Sequence, residues 1–315
     1  MDNKTMDLLE AALCKRQPLE SHTNALRLVN GLGDGLKGLI LERYGRHFAA
    51  QIFHKRWFAE KEALTDFVRS RCHGRYLIMK DRTESVSSRP EAVKASVWIE
   101  EDVSRTVVRE NGLKFGVDLN DTLNSGLFLD MRRNRQIVAG LARGRRVLNC
   151  FAYTCSFGVY CRAAGAESVV NVDISAKSLS RGRSNYELNR LVPSRNEFIR
   201  ADAAQYLKRA LAKDNRFDLI ILDPPSFARH EGRTFSVKKD LAPLIGTAMN
   251  VLNPGGFLFV ATNLSAVSHD SLEAMVRAAA QGRRIKRVQR LGPDEDFVTE
   301  GVTPESYLAA LLAEV

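Results

Sequence analysis

From residue 145 onward, short apolar runs alternate with longer segments in which apolar residues return every three to four positions, so the period switches between that of a buried strand and that of a helix. Residues 145–151 (RRVLNCF), 168–175 (SVVNVDIS), 196–202 (NEFIRAD), 217–223 (FDLIILD) and 255–263 (GGFLFVATN) read as strands. Segments 157–166, 176–190 and 204–214 read as helices, a loop and helix run to Met249, and 283–292 with 306–315 supply two final strands. Such alternation implies right-handed crossovers and a parallel sheet with helices on both faces, an α/β fold. The sharpest boundary is DPPSF at 223–227, where an apolar run stops at an acid and two prolines. Pro224 and Pro225 fix φ and force the residue before each out of helical geometry, so the chain leaves the sheet extended and stiff.

The pattern before residue 120 is different. Residues 24–51 show two short strand-like runs around the turn signals Asn30-Gly31 and Asp34-Gly35. A helix is expected over 59–71, with Ala63, Leu64, Phe67 and Val68 at helical spacing, and a polar stretch covers 82–91. Asn111-Gly112, between two alternating runs in 106–119, predicts a tight hairpin. The expected organisation is therefore an α+β domain over 1–120 and a larger α/β domain over 121–315.

Composition narrows the function classes. The chain has 315 residues, 44% of them hydrophobic, and no apolar run of the roughly eighteen residues that a membrane helix needs. The first residues are polar and mixed in charge, unlike a leader, so a soluble cytoplasmic protein is expected. A net charge of +10 favours an anionic partner such as nucleic acid. Five cysteines include no C-x-x-C pair, and the six histidines do not cluster with them, so no metal site is expected.

Open α/β sheets bind ligands at the carboxyl ends of their strands. The first strand-to-helix turn here, Phe151 to Ser156, contains no glycine, so the dinucleotide fingerprint G-x-G-x-x-G is absent. That argues against a nicotinamide or flavin enzyme and for a cofactor without a pyrophosphate, such as S-adenosylmethionine. Asp173, Asp202 and Asp223 end successive strands and form a row of acids; each alone would also serve as a helix N-cap, Asp173 and Asp202 above all.

These residues carry a resemblance. RLVNGLGDGLKGLILERYG (27–45), NSGLFLDMRRNR (124–135), VLNCFAYTCSFGVYCRAAGA (147–166), VVNVDIS (169–175), DPPSF (223–227), LGPDEDF (291–297) and SYLAALLAEV (306–315) together resemble the bacterial ribosomal RNA methyltransferases that include the RlmI-like cytosine-5 and RlmK-like guanine-N7 enzymes. The resemblance implies a Rossmann-like class I methyltransferase sheet with a smaller N-terminal α+β domain that helps to grip RNA. It implies that Phe151, Tyr153, Thr154 and Ser156 line the methionine end of S-adenosylmethionine, that Asp173, with Ile174 beside it, holds the ribose, and that Asp202 and Ala203 meet the adenine. Asp223, Pro224, Pro225 and Phe227 would form the floor under the target base, Asn263 would bond its edge, and Arg132 and Arg135 would steady the cofactor-side loop. The implied partner is large-subunit ribosomal RNA, touched also by Arg229, His230, Arg233, Lys238 and Lys239 around Phe235, and by Lys55, Arg56, Trp57, Arg69, Arg71, His73 and Arg75.

Three departures qualify it. RlmI-like members begin with a PUA domain, which this chain is expected to lack. The family's glycine in the first turn is Cys155. The cytosine-5 branch carries a nucleophilic cysteine just past the fifth strand, whereas residues 261–265 read ATNLS and no cysteine follows Cys161. Carbon 5 of a pyrimidine becomes nucleophilic only after a thiolate adds to carbon 6, so cytosine-5 chemistry needs that thiol. Guanine N7 already has an in-plane lone pair and needs only alignment. Guanine N7 is therefore the favoured acceptor, with cytosine-5 methylation, methylation of a ribosomal-protein nitrogen and a non-catalytic RNA-binding module as alternatives.

Overall fold

The computed structural model describes residues 1–83, 95–98, 104–121, 124–230, 233–299 and 307–315, with backbone alone at 95–98, 228–230 and 233–234. The chain divides into two compact units, Met1–Asp130 with Asp294–Gly301, and Met131–Pro293 with Val302–Val315.

The first unit opens with helix α1 (Asn3–Arg16), capped where the Asp2 side chain accepts the Thr5 N–H. A five-stranded sheet follows in the order β1 (Ala25–Asn30), β2 (Leu39–Tyr44), β3 (His47–Ile52), β4 (Tyr76–Asp81), β5 (Ala95–Trp98). Only β3 and β4 pair in parallel, and the crossover between them carries α2 (Arg56–Ala59) and α3 (Lys61–Ser70), whose Leu64, Phe67 and Val68 are buried. Three strands thus stand in 24–52 where two were expected, because Gly45, at φ +66°, turns the second run into a β2–β3 hairpin. The hairpin of β6 (Arg105–Glu110) and β7 (Leu113–Asp118) turns at Asn111 (φ 50°) and Gly112 (φ 82°), both left-handed as a two-residue primed turn demands. Trp57 corrects an expectation: it is fully buried in the core of this unit and donates its indole N–H to the Lys37 carbonyl, so it has no surface for RNA.

This unit is completed by residues far along the chain. Arg16 is 1% exposed and forks onto both oxygens of Asp34, at 2.5 and 2.7 Å, while also donating to the carbonyls of Arg27 and Asp296. The Asp296 carboxylate accepts the Arg27 backbone N–H, the Arg27 guanidinium lies 4.1 Å from the centre of the Phe297 ring, and Asn30 donates to the Val298 carbonyl. Gly33 allows that approach, since a Cβ there would fall 1.8 Å from the Val298 oxygen.

The second unit is built on one seven-stranded sheet: β8 (Arg146–Cys150), β9 (Ser168–Asp173), β10 (Phe198–Arg200), β11 (Phe217–Leu222), β14 (Leu252–Thr262), β15 (Arg287–Leu291) and β16 (Ala309–Glu314), in the order β10-β9-β8-β11-β14-β16-β15. Six strands run in one direction and β16 is inserted antiparallel between β14 and β15, so the sheet is not wholly parallel as the alternation implied. Strand alternation sorts the core: Leu148, Cys150, Ile220 and Leu222 pack with α7 (Ala203–Ala212), α8 (Val237–Val251) and α9 (His269–Ala279), while Val147, Leu219 and Ile221 pack with α4 (Arg132–Gly140) and α5 (Ser156–Ala163). Helix α6 (Ala176–Leu188) joins β9 to β10, and a small hairpin, β12 (Phe227–His230) and β13 (Arg233–Ser236), stands where a basic loop was expected.

The Arg16–Asp34 pair yields a test. Asp34→Ala leaves the buried guanidinium without its carboxylate and is expected to cost about 3–5 kcal/mol, read as a lower denaturant midpoint, whereas replacing both partners with Met and Leu costs much less.

Candidate active site at the strand ends

The strand order sets Asp202, Asp173, the turn after β8 and Asp223 side by side along one edge of the sheet, because β10, β9, β8 and β11 are neighbours and each contributes its carboxyl end. The turn is strained. Phe151, Tyr153 and Cys155 all have positive φ (57°, 47° and 59°) although none is glycine, and a left-handed residue of this kind costs about 1–2 kcal/mol.

Hydrogen bonds hold it there. Ala152 donates to the Val172 carbonyl at 3.0 Å, Asp173 Oδ2 accepts the Tyr153 backbone N–H at 2.8 Å, and Asn185 of α6 donates to the Thr154 carbonyl at 2.9 Å. The other Asp173 oxygen accepts the Ser175 N–H at 2.8 Å. Burial outweighs these bonds and pushes the Asp173 carboxyl above the ordinary aspartate range. Asp173 is therefore a turn brace and not the cap of α6, a role that Ser175 takes by accepting the Ser178 N–H. Asp202 does cap its helix: Oδ1 accepts the Gln205 N–H at 2.9 Å, and among the described residues Oδ2 has no protein partner.

Beneath the turn lies a buried polar chain that the sequence reading missed. Asn149 donates to Asn171, and Asn171 donates to the Tyr186 hydroxyl and to the Glu197 carbonyl. Asparagines at fully buried positions of β8 and β9, in runs otherwise apolar, were the available signal. Gly158 brings α5 close to this chain, since a Cβ there would lie 2.2 Å from Asn171 Oδ1.

The expected site residues fall into two groups. Phe151, Tyr153, Ser156, Asp173, Ile174, Asp202 and Asp223 are half-buried along the edge, and Phe227 and Asn263 are exposed beside it. Thr154 is wholly buried and Ala203 nearly so: the Thr154 carbonyl braces the turn and Ala203 starts α7 in the core. Arg132 and Arg135 are buried in α4, the latter with its guanidinium 5.9 Å from the Tyr160 ring centre. Pro224 is buried, Pro225 exposed, and the Ser226 hydroxyl meets Asn263 Oδ1 at 2.5 Å, so the structure does bring Asn263 to the DPPSF loop. Phe235 packs its ring 5.5 Å from that of Phe151 and is part of the core cover. The side chains of Arg229, His230 and Arg233 lie outside the described residues. Lys238 and Lys239 are exposed, whereas Arg69 and Arg71 pair with Asp66 and Glu10.

A row of carboxylates repels phosphate, and no glycine cradle approaches one; hydroxyl and amine groups suit this edge. The comparisons agree with that chemistry. Residues 52–314 match the family of S-adenosylmethionine-dependent methyltransferases. The chain belongs to that family. A ribosomal RNA large subunit methyltransferase I of Aeromonas hydrophila is 32% identical to it over 94% of this chain and 74% of the relative, and one of Photobacterium profundum is 29% identical over 96% and 76%. Among solved structures, SMU.776, named as a methyltransferase and crystallised with SAH, superposes with a TM-score of 0.87 at 26% identity, covering 98% of this chain and 80% of that one. The expected family and Rossmann-like fold are thus borne out, and S-adenosylmethionine is the cofactor of this methyltransferase. Among the described residues there is no group of three His, Cys, Asp or Glu that could hold a metal ion, and no helix long and apolar enough to cross a membrane.

Cys155 holds a left-handed conformation that glycine adopts at least cost, and the structure makes room for its side chain. Gly182 of α6 faces it, and a Cβ at 182 would lie 2.4 Å from Cys155 Sγ. Gly182→Ala is expected to cost about 1–3 kcal/mol through overpacking, and Cys155→Gly in the same chain to restore most of it, with a coupling energy of at least ~1 kcal/mol in a double-mutant cycle. Asp173 gives a pH signature with two signs. Its raised carboxyl contributes stability fully below the unfolded value, about 3.9, and loses it as pH rises through the folded pKa. SAH affinity should move the other way if the carboxylate binds it, weakening on acidification at a pH above the ordinary aspartate range, and calorimetry across pH checks both the direction and its absence in Asp173→Asn.

Proposed function

We propose that this methyltransferase modifies a base of RNA, large-subunit ribosomal RNA, with a guanine ring nitrogen, N7, as the acceptor. The observation that carries the choice of atom is the state of the thiols. Cys150, Cys155 and Cys161 are buried, and burial pushes every one of them up, Cys161 to about 12, so none offers a thiolate to a pyrimidine. Past Cys161 the chain has no cysteine, and the segment after β14 presents Asn263 instead. A ring nitrogen that already owns a lone pair needs only placement.

In this reading Asp173 holds the ribose hydroxyls and Asp202, through its unbonded oxygen, the adenine amine. Phe151, Tyr153 and Ser156 line the methionine end, and buried Arg132 supports the loop before α4. When bound, S-adenosylmethionine supplies an electrophilic methyl group on a sulfonium. The protein's part is alignment. Pro224 and Pro225 stiffen the floor, Asp223 closes it, and the exposed Phe227 stacks on a splayed base, an interaction worth about 1–3 kcal/mol. The names of the relatives support ribosomal RNA as substrate, and the net charge of +10, with exposed Lys55, Arg56, Lys238 and Lys239, suits its phosphates. Residues 1–120 are proposed to help grip the RNA, in the cytoplasm where ribosomes are assembled.

The deciding assay is transfer of labelled methyl to deproteinised ribosomal RNA and, in parallel, to stripped ribosomal proteins, followed by nucleoside analysis. The expected product is 7-methylguanosine, and 5-methylcytidine or labelled protein would overturn the proposal. With about six phosphates contacted, RNA affinity should fall on the order of a thousandfold between roughly 50 and 200 mM salt.

A further inference from the structure

We infer that Ser226 fixes the amide of Asn263 in one orientation, so that the site offers its target base hydrogen-bond donors and selects a base edge that carries an acceptor, such as guanine O6 beside N7. The inference rests on the reading of this edge as an RNA-base site and deepens it.

Ser226 is held from two directions. Its carbonyl accepts the N–H of Val237, the first residue of α8, at 3.2 Å, and its hydroxyl reaches Asn263 Oδ1 at 2.5 Å. The preceding Pro225 removes backbone freedom on the other side. The amide oxygen is the end that faces the serine, within reach of an O–H···O bond. Ser226 therefore donates, Asn263 Oδ1 accepts, and the Asn263 amine keeps both N–H groups without a protein partner among the described residues. Asn263 is exposed, and Phe227, 53% exposed, follows Ser226 directly, so a stacking face and a pair of donors are linked through one residue.

That arrangement discriminates by chemistry. A base held by donors must show acceptors. The guanine edge that includes N7 and O6 does so, whereas the amino groups of adenine and cytosine are donors themselves and meet donors head-on. Once a base covers the Asn263 amide and displaces its water, an edge of the wrong polarity leaves those N–H groups unpaired and is rejected. Ser226 acts through Asn263 and is a positioning residue; Asn263 is the one that would touch the base.

The test uses the full chain, labelled S-adenosylmethionine and deproteinised large-subunit ribosomal RNA. Ser226→Ala frees the amide to turn and is expected to raise KM for RNA about tenfold, with kcat changed less and SAH affinity unchanged, while Ser226→Thr, which keeps the hydroxyl, returns KM to within a few-fold of the parent. Asn263→Asp, nearly isosteric but with acceptors only, is expected to lower kcat/KM by about a hundredfold or more. Unchanged SAH affinity in each variant reports that the fold survives. The assignment is overturned if Ser226→Ala matches the parent, if Asn263→Asp stays active, or if the parent's labelled nucleoside is methylated on an exocyclic amine while RNA remains the substrate. A parent that binds SAH yet labels no RNA overturns the proposed function, and this assignment with it.

Discussion

The turn between β8 and α5 folds back on itself through three left-handed residues in five, and none of them is a glycine. At about 1–2 kcal/mol each, that conformation would not persist in an isolated peptide. It persists because three neighbours over-determine it: β9 through the Val172 carbonyl, the Asp173 carboxylate through the Tyr153 N–H, and α6 through Asn185. The consequence reaches outward. Asp173 is fixed in place by the same bond that fixes the turn, so the acid and the loop that would flank a cofactor cannot move independently. The buried chain from Asn149 through Asn171 to Tyr186 ties the two strands and α6 that make those bonds.

How the chain accommodates a cysteine in this left-handed turn follows from packing. A side chain at 155 needs room, and α6 yields it by having no side chain at 182. The thiol is thereby sealed in the core, with its proton held more tightly by burial and by the nearby Asp173. Cys155 is thus volume, and its position in the cofactor turn says nothing about nucleophilic chemistry. The same holds for Cys150 and Cys161, which face the core on strand and helix.

Much of the catalytic unit was legible because its signals are local. Strand and helix periods, the Pro-Pro stop and the acids at strand ends all sit within a few residues of the features they specify, and the primed turn at Asn111-Gly112 is written in two residues. What stayed hidden depends on residues far apart in the chain. That β16 inserts antiparallel between β14 and β15 is a matter of pairing partners, which an apolar run does not encode. Trp57 looked like one of a basic, aromatic cluster because Lys55 and Arg56 precede it, yet the one-turn helix α2 sends its ring inward. Arg16 and Asp296 are 280 positions apart, and nothing local marks the strip that begins at Asp294 as the one that completes the first unit. Mixed-polarity α1 and the short β12–β13 hairpin lacked the periodicity that makes an element visible.

The site also shows how one residue type does two jobs at one edge. Asp202 and Asp173 both end strands ahead of helices, and capping would explain either. The structure separates them: Asp202 caps with one oxygen and has the other to spare, whereas Asp173 leaves the cap to Ser175 and divides its oxygens between the Tyr153 N–H of the strained loop and the Ser175 N–H. Bracing the turn explains the position of Asp173, but burial raises its pKa and works against the charged form. The proposed ribose hydroxyls would offset that cost by completing the hydrogen bonds of the carboxylate, so the same acid that braces the turn would gain its remaining partners only with the cofactor bound.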